Sequence, residues 1–363
     1  MYENLCISCF QDMGNQTTCP HCGYVDSGHR KHALLPARHL LRDRYLIGEV
    51  ISTDKNGNCY KAMDLQDLVL VEVQEHFPRE IVTRGADGVN VIPLAQNDNS
   101  WPTKDVQVLL QNAQSMMQFK DCEGIVNVFD AFEANQTVYI VDEYMEGMTI
   151  DDYLQTCGGT VDTETALSIV IPVLNGLTKL HNANLIHRAV TPKNIIITSD
   201  NQVKLINYVF LKEASAFKES EMTVYFSPGY APYEQYVSKE RRGPYSDIYS
   251  VGAVLYRMLI GVPPQDAISR TNEDHLRESL LAASLPDYIL LCIGKAMDMN
   301  KDIRFKSAAD MKNALLRKNQ VVDVDGFLDR AHRRRQIRII VGLSVLLAAL
   351  LVTLAVVIYQ RCR

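Results

Sequence analysis

The chain changes its hydrophobic period once, near residue 163, and that change limits the kind of fold it can adopt. Before it, apolar residues fall in short β-branched runs at 45–51, 58–63, 68–74, 126–132 and 137–142, bounded by Asp, Asn or Gly as antiparallel strands require. One helical period interrupts them, at Val108, Leu109, Ala113, Met116 and Met117. From Thr163 onwards the pattern is largely helical, with Ala166, Leu167, Val170, Val173, Leu174, Leu177 and Leu180 on one apolar face. Ile248, Val251, Leu255 and Leu259 repeat that spacing, and Gly261 is well placed to end the second helix. Strands in one block and helices in another predict an α+β protein. At 363 residues, 47% hydrophobic and 22% charged, the chain can bury a sizeable core and still carry appendages.

The N-terminus carries one of those appendages. Cys6-Ile7-Ser8-Cys9 and Cys19-Pro20-His21-Cys22-Gly23 are two C-x-x-C turns. Two thiolates three residues apart can share one metal ion, and two such turns complete a tetrahedral shell. Residues 1–25 therefore read as a zinc ribbon with Cys6, Cys9, Cys19 and Cys22 as ligands and His21 as a spectator. So short a unit has almost no core, so metal binding must supply its folding energy. The remaining five of nine cysteines are scattered and odd in number, which fits a reducing compartment better than a disulfide framework.

Residues 26–43 mix Gly, Ser, His, Arg and Pro without a sustained period and read as a linker. At the other end, 339–359 carries no charged residue. At 1.5 Å rise per residue that stretch spans about 31 Å, enough to cross a bilayer core. Arg330, Arg333, Arg334, Arg335 and Arg338 precede it, in a basic segment 318–338, and Arg361 and Arg363 follow in a tail 360–363. The positive-inside rule then predicts a single-pass protein of the cell membrane, its body in the cytoplasm and the tail outside. The start of the chain lacks the apolar stretch of a signal peptide. A net charge of −6 gives no reason to expect nucleic acid as a partner.

Between linker and membrane segment several motifs stand in order. His187-Arg188-Ala189-Val190-Thr191-Pro192-Lys193-Asn194 follows the pattern H-R-D-x-x-x-x-N except at Ala189. After it come Asn207-Tyr208-Val209, Ala231-Pro232-Tyr233-Glu234, Asp247-Ile248-Tyr249-Ser250-Val251-Gly252, and Arg304-Phe305. Ahead of it stand Val71-Glu72-Val73-Gln74, Glu75-His76-Phe77-Pro78 and the strand 138–143 running into Tyr144-Met145-Glu146-Gly147. On these segments residues 44–317 resemble a bacterial serine/threonine protein kinase domain over its full length. The resemblance implies a bilobal fold: a five-stranded N-lobe with one helix, a mostly helical C-lobe, and a nucleotide cleft between them. It also implies that Asp247, Glu234 and Arg304 brace the C-lobe, the last two as a buried ion pair.

Against that pattern the chemistry is missing. Ala189 stands where the catalytic aspartate would, Asn207 where a carboxylate would hold magnesium, and Gln74 where a lysine would pair with phosphates. Asn112 falls where the helix glutamate would meet that lysine, which leaves Asn194 as the remaining metal-side residue. In the stretch aligned with G-x-G-x-x-G, Ser52 and Asp54 replace the first two glycines and Gly57 is kept. Glu72 and Asp142 put two carboxylates into the purine slot, where burial is costly unless they are paired. ATP with magnesium is therefore not expected, and zinc is the one cofactor the sequence argues for.

The sequence reads as a membrane-anchored pseudokinase, a scaffold or binding module for a protein partner in the cytosol or at the membrane. Two alternatives stay open. One is an atypical phosphotransferase using another acid, for which Asp151, Asp152 and Asp200 are the nearby carboxylates; the other is a nucleotide sensor without catalysis.

Overall fold

The structure, a computed structural model, describes residues 2–26, 28, 30–94, 101, 104–207, 227–237 and 243–317. The expected membrane segment 339–359, the basic stretch before it, and Tyr208 and Val209 lie outside these residues. Among the described residues no helix is long and apolar enough to cross a membrane.

The strand block folds as a six-stranded antiparallel sheet. Its members are β1 (Leu40–Leu41), β2 (Tyr45–Thr53), β3 (Gly57–Asp64), β4 (Val69–His76), β8 (Val128–Ala134) and β9 (Thr137–Glu143), in the order β1-β2-β3-β4-β9-β8. The hairpin β5 (Val82–Arg84) and β6 (Val91–Pro93) stands apart, and helix α1 (Lys104–Met116) packs against β8 and β9. A second sheet joins β7 (Gly124–Ile125), β10 (Gly147–Thr149), β11 (Ile195–Thr198) and β12 (Val203–Leu205) in the order β10-β11-β12-β7.

The helical block forms the other lobe. Its long members are α3 (Thr163–Asn182) and the helix Pro244–Ile260, with α2 (Ile150–Thr156) ahead of them and Asp287–Ala296 and Ala308–Leu316 behind. Asp162 caps α3 by accepting from the Thr165 amide, and Gly261 ends Pro244–Ile260 at φ 89°, a left-handed stop that a side chain would strain. The helix at Pro244–Ile260 is buried along most of its length, as the hydrophobic period required.

The large sheet has two faces with different duties. Tyr60, Ala62, Val71, Val73, Tyr139 and Val141 point to one side and pack with Leu35, Leu41, Tyr45, Ile47 and Phe132 in one core. Alternate residues point the other way, towards the helical lobe, and line a cleft. The stretch 26–43, expected as a linker, differs from that reading: Leu35 is fully buried in this core and Leu40–Leu41 pairs with β2. Its apolar residues have no regular period because irregular backbone, rather than a helix, lays them on the sheet. The sheet accordingly has six strands, one more than the resemblance implied.

A single carboxylate organises that covered face. Glu75, fully buried, accepts from Arg84 at 2.8 and 2.7 Å, from Tyr60 Oη at 2.9 Å, from Tyr139 Oη at 2.7 Å and from Asn58 Nδ2 at 2.8 Å. The helical lobe has its own buried pair, Arg304 to Glu234 at 2.7 and 3.2 Å, with Ser246 Oγ donating to the same carboxylate. That is the pair the resemblance implied.

Candidate functional site

Strand register brings the cleft roof together. Cys59 lies opposite Gln74, Lys61 opposite Glu72, and Glu72 opposite Asp142, so all five side chains share the inward face. Each of the two carboxylates has a neutral partner. Gln74 donates its amide to Asp142 Oδ2 at 2.5 Å, and Asp142 is 2% exposed. Burial raises the pKa of Glu72, with a hydrogen bond from Cys59 pulling the other way. Burial likewise holds the Cys59 thiol well above its ordinary range, and the Glu72 charge adds to it. The residue that replaces a phosphate-pairing lysine is thus turned to the back of the slot.

The loop between β2 and β3 is closed on itself. Asp54 Oδ1 accepts from the amides of Asn56 and Gly57, each at 2.7 Å. The carboxylate folds back and occupies amides that would otherwise be free to meet an anion. The sequence Asp54-Lys55-Asn56-Gly57 carries a turn signal that would have predicted this. The segment after β4 straps the loop from above: Phe77 and Arg79 donate amides to Asn56 O at 2.7 Å and Lys55 O at 2.9 Å. Gly57 is required there, since a Cβ would lie 2.6 Å from Glu75 O.

On the floor, the framework of the catalytic-type loop is intact. Asp247, fully buried, accepts from the amides of His187 at 2.8 Å and Arg188 at 2.7 Å and from His181 Nε2 at 2.9 Å. These bonds hold Arg188 at φ 64°, a left-handed conformation uncommon for arginine. Asn194 donates its amide to Ala189 O at 2.8 Å and accepts at Oδ1 from Asn207 Nδ2 at 3.0 Å. The two asparagines at the metal-side positions therefore satisfy each other. Asn112 is buried on α1, and Ser52 and Asp54 are exposed at the mouth. Of the alternative acids, Asp152 is engaged with Thr149 at the start of α2 and Asp200 accepts from Thr198 and Gln202.

His187 gives the loop a pH dependence. Burial lowers its pKa from the ordinary 6.5 to about 4, against the opposing effect of Asp247. The folded chain thus holds it neutral where the unfolded chain would take up a proton. Stability should fall as pH drops through the window from about 6.5 to about 4, by about 1.4 kcal/mol per pH unit for this group. His76, lowered to about 4 by burial, adds in the same direction. Urea midpoints at pH 7.0, 5.5 and 4.5 check this; a flat profile across that window would contradict it.

The four cysteines form a second centre. Their sulfurs all lie within 4.8 Å of one another, with Cys6 to Cys22 at 3.7 Å and Cys9 to Cys19 at 3.6 Å. A tetrahedral ion with metal–sulfur bonds of about 2.3 Å needs edges of about 3.8 Å. Desolvation raises the Cys19 thiol, but the backbone amides of Cys22 and His21 together with hydrogen bonds from Cys9 and Cys6 lower its pKa to about 6, while desolvation pushes Cys9 up to about 12. His21 Nε2 meets Asp12 O at 3.1 Å, away from the sulfurs. The sequence reading missed how this unit sits on the body: Ile7, Ser8 and Phe10 contact β2 at Gly48 and Glu49. A lone glycine inside a strand pattern is the signal that could have found it.

Known proteins fit this geometry. The protein kinase domain family matches residues 92–320, starting after the strand that carries Gln74. The serine/threonine-protein kinase PknB of Mycolicibacterium smegmatis is 32% identical over 311 residues, 81% of this chain and 46% of that protein. PknB of Mycobacterium tuberculosis is 32% identical over 76% of this chain and 43% of its own length. The chain thus spans less than half the length of these curated relatives. Among solved structures, PpkA-294 in its apo form covers 78% of the chain with a TM-score of 0.69 at 23% identity. The kinase domain of M. tuberculosis PknI covers the same share with a TM-score of 0.56 at 15% identity. Both show the fold alone.

Proposed function

The chain belongs to the protein kinase domain family, and from that premise we propose that it is a catalytically inactive, serine/threonine kinase-like member that works by binding protein. The observation that carries this reading is the closed network in the cleft. Asn194 is bonded to Asn207, Gln74 to Asp142 and Asp54 to its own loop, so the groups that would meet metal and phosphate meet each other. Two of the three alternative acids, Asp152 and Asp200, are engaged locally, which leaves Asp151 as the acid an atypical phosphotransferase would use. A thermal-shift titration with ATP and magnesium tests the reading. The expected result is no rise in midpoint; a saturable rise would favour nucleotide sensing.

Two further elements complete the proposal. The uncharged stretch 339–359 with its arginine flanks supports a membrane anchor that leaves the kinase-like body in the cytoplasm. The sulfur spacing supports zinc held by Cys6, Cys9, Cys19 and Cys22. Elemental analysis should find one zinc per chain, and Cys19→Ser with Cys22→Ser should abolish it. Zinc retained in the double variant would exclude these ligands.

A further inference from the structure

The first half of β2 has its outer edge covered by backbone from the N-terminus. Arg38 donates its amide to Ile47 O at 2.8 Å and Ile47 donates to His39 O at 2.9 Å. Two residues on, Glu49 donates to Ile7 O at 2.7 Å. The register of β2 with β3 shifts between Ile47 and Val50, where Gly48 and Glu49 lie. Gly48 is open enough to admit the docked unit: a Cβ would stand 2.3 Å from Ile7 O and 2.4 Å from the Phe10 ring. Phe10 reaches this position from a left-handed backbone at φ 59° and is 8% exposed.

Side chains extend the contact to the cleft. Ser8 Oγ donates to Glu49 Oε1 at 2.9 Å, the same oxygen lies 3.9 Å from Lys61 Nζ, and Lys61 sits 4.5 Å over the ring of Tyr144, just past β9. Arg38 ties the unit down from behind, with Nε to Leu5 O at 2.7 Å and an ion pair to Asp26 at 2.9 Å.

The docking residues are also the metal turn. Ile7 and Ser8 are the two residues between Cys6 and Cys9, and Phe10 follows directly. Within the unit the buried cluster is Cys6, Met13 and Cys19 with Cys9 and Tyr24 against it, too little to hold a turn without metal. We propose that the four-cysteine unit is a metal-dependent clamp on β2, so that metal occupancy sets the order of β2 and, through Glu49 and Lys61, of the cleft roof. Linkage then makes anything that orders the cleft bind more tightly to the metal-loaded chain. This rests on the reading of the cysteines as a zinc site.

The test is amide hydrogen exchange on the full chain in detergent micelles, before and after zinc is stripped with EDTA, with zinc content measured alongside. Stripping should speed exchange at the Glu49 amide and across β2 at least about tenfold, and leave the helix Pro244–Ile260 unchanged. Phe10→Gly, which suits the left-handed backbone and removes the ring, should speed exchange at Glu49 with zinc still bound; Ser8→Ala should do so more weakly. Unchanged exchange at Glu49 in stripped chain overturns the clamp and leaves the zinc site standing. A wild-type chain that never holds metal overturns both.

Discussion

Incubated with ATP and either magnesium or manganese, the full chain is expected to transfer no phosphate, and Ala189→Asp alone is expected to change nothing. Proton acceptance, metal holding and phosphate pairing act as a unit, so restoring one leaves the others missing; the deficit should stay at least about 10⁴-fold below the roughly 1–100 s⁻¹ of an active kinase. The geometry adds a second obstacle. Asn207→Asp would set a carboxylate against Asn194 Oδ1, whose amide end is already committed to Ala189 O. Gln74→Lys would free Asp142 from its amide partner but leave Asp54 on the loop amides. Even the triple variant should therefore bind ATP weakly. Radiolabel transfer is the measurement, and incorporation that vanishes on mutating a residue of this chain would show an unusual enzyme.

Arg84→Met is expected to cost about 3–5 kcal/mol of folding stability, because it leaves Glu75 buried without its cation. Glu75 would keep Tyr60, Tyr139 and Asn58, three neutral donors for a charge with no access to water. Replacing both members, Glu75→Leu with Arg84→Met, removes the bare charge but strands those donors, at about 1–3 kcal/mol for each left unmet. The double variant should thus recover only part of the loss. Urea unfolding of residues 1–317 measures it; a cost below about 1 kcal/mol for Arg84→Met would mean that the guanidinium contributes nothing beyond its volume.

What could be read from the sequence was what is local or strongly patterned. The period change near Thr163 gave the two lobes, and the helices at Thr163–Asn182 and Pro244–Ile260 match their apolar faces. Glu234, Arg304 and Asp247 were legible because family motifs mark them; the structure pairs Glu234 with Arg304 as the resemblance implied and sets Asp247 beneath the His187 and Arg188 amides. Long-range partners outside those motifs were not legible. Gln74 lies 68 residues from Asp142, and only strand register brings them together. The packing of Leu35 escaped notice because irregular backbone has no period to detect. Glu75 is marked by a family motif, yet its five hydrogen bonds come from four residues on three separate strands. The turn at Asp54 is local, with its partners two and three residues on, but a comparison against a glycine pattern alone hides it.

The covered margin of β2 bears on solubility. A strand whose outer backbone groups are bare is a template for another chain's strand, and sheets with such a margin tend to associate. Here the stretch from Tyr45 to Glu49 is closed off by Leu40–Leu41, by Arg38 and His39, and by Ile7, all of which precede residue 44. The N-terminal residues thus double as a seal against strand-to-strand association between copies, so a fragment cut at residue 44 would fold with that margin open and be prone to pair through it.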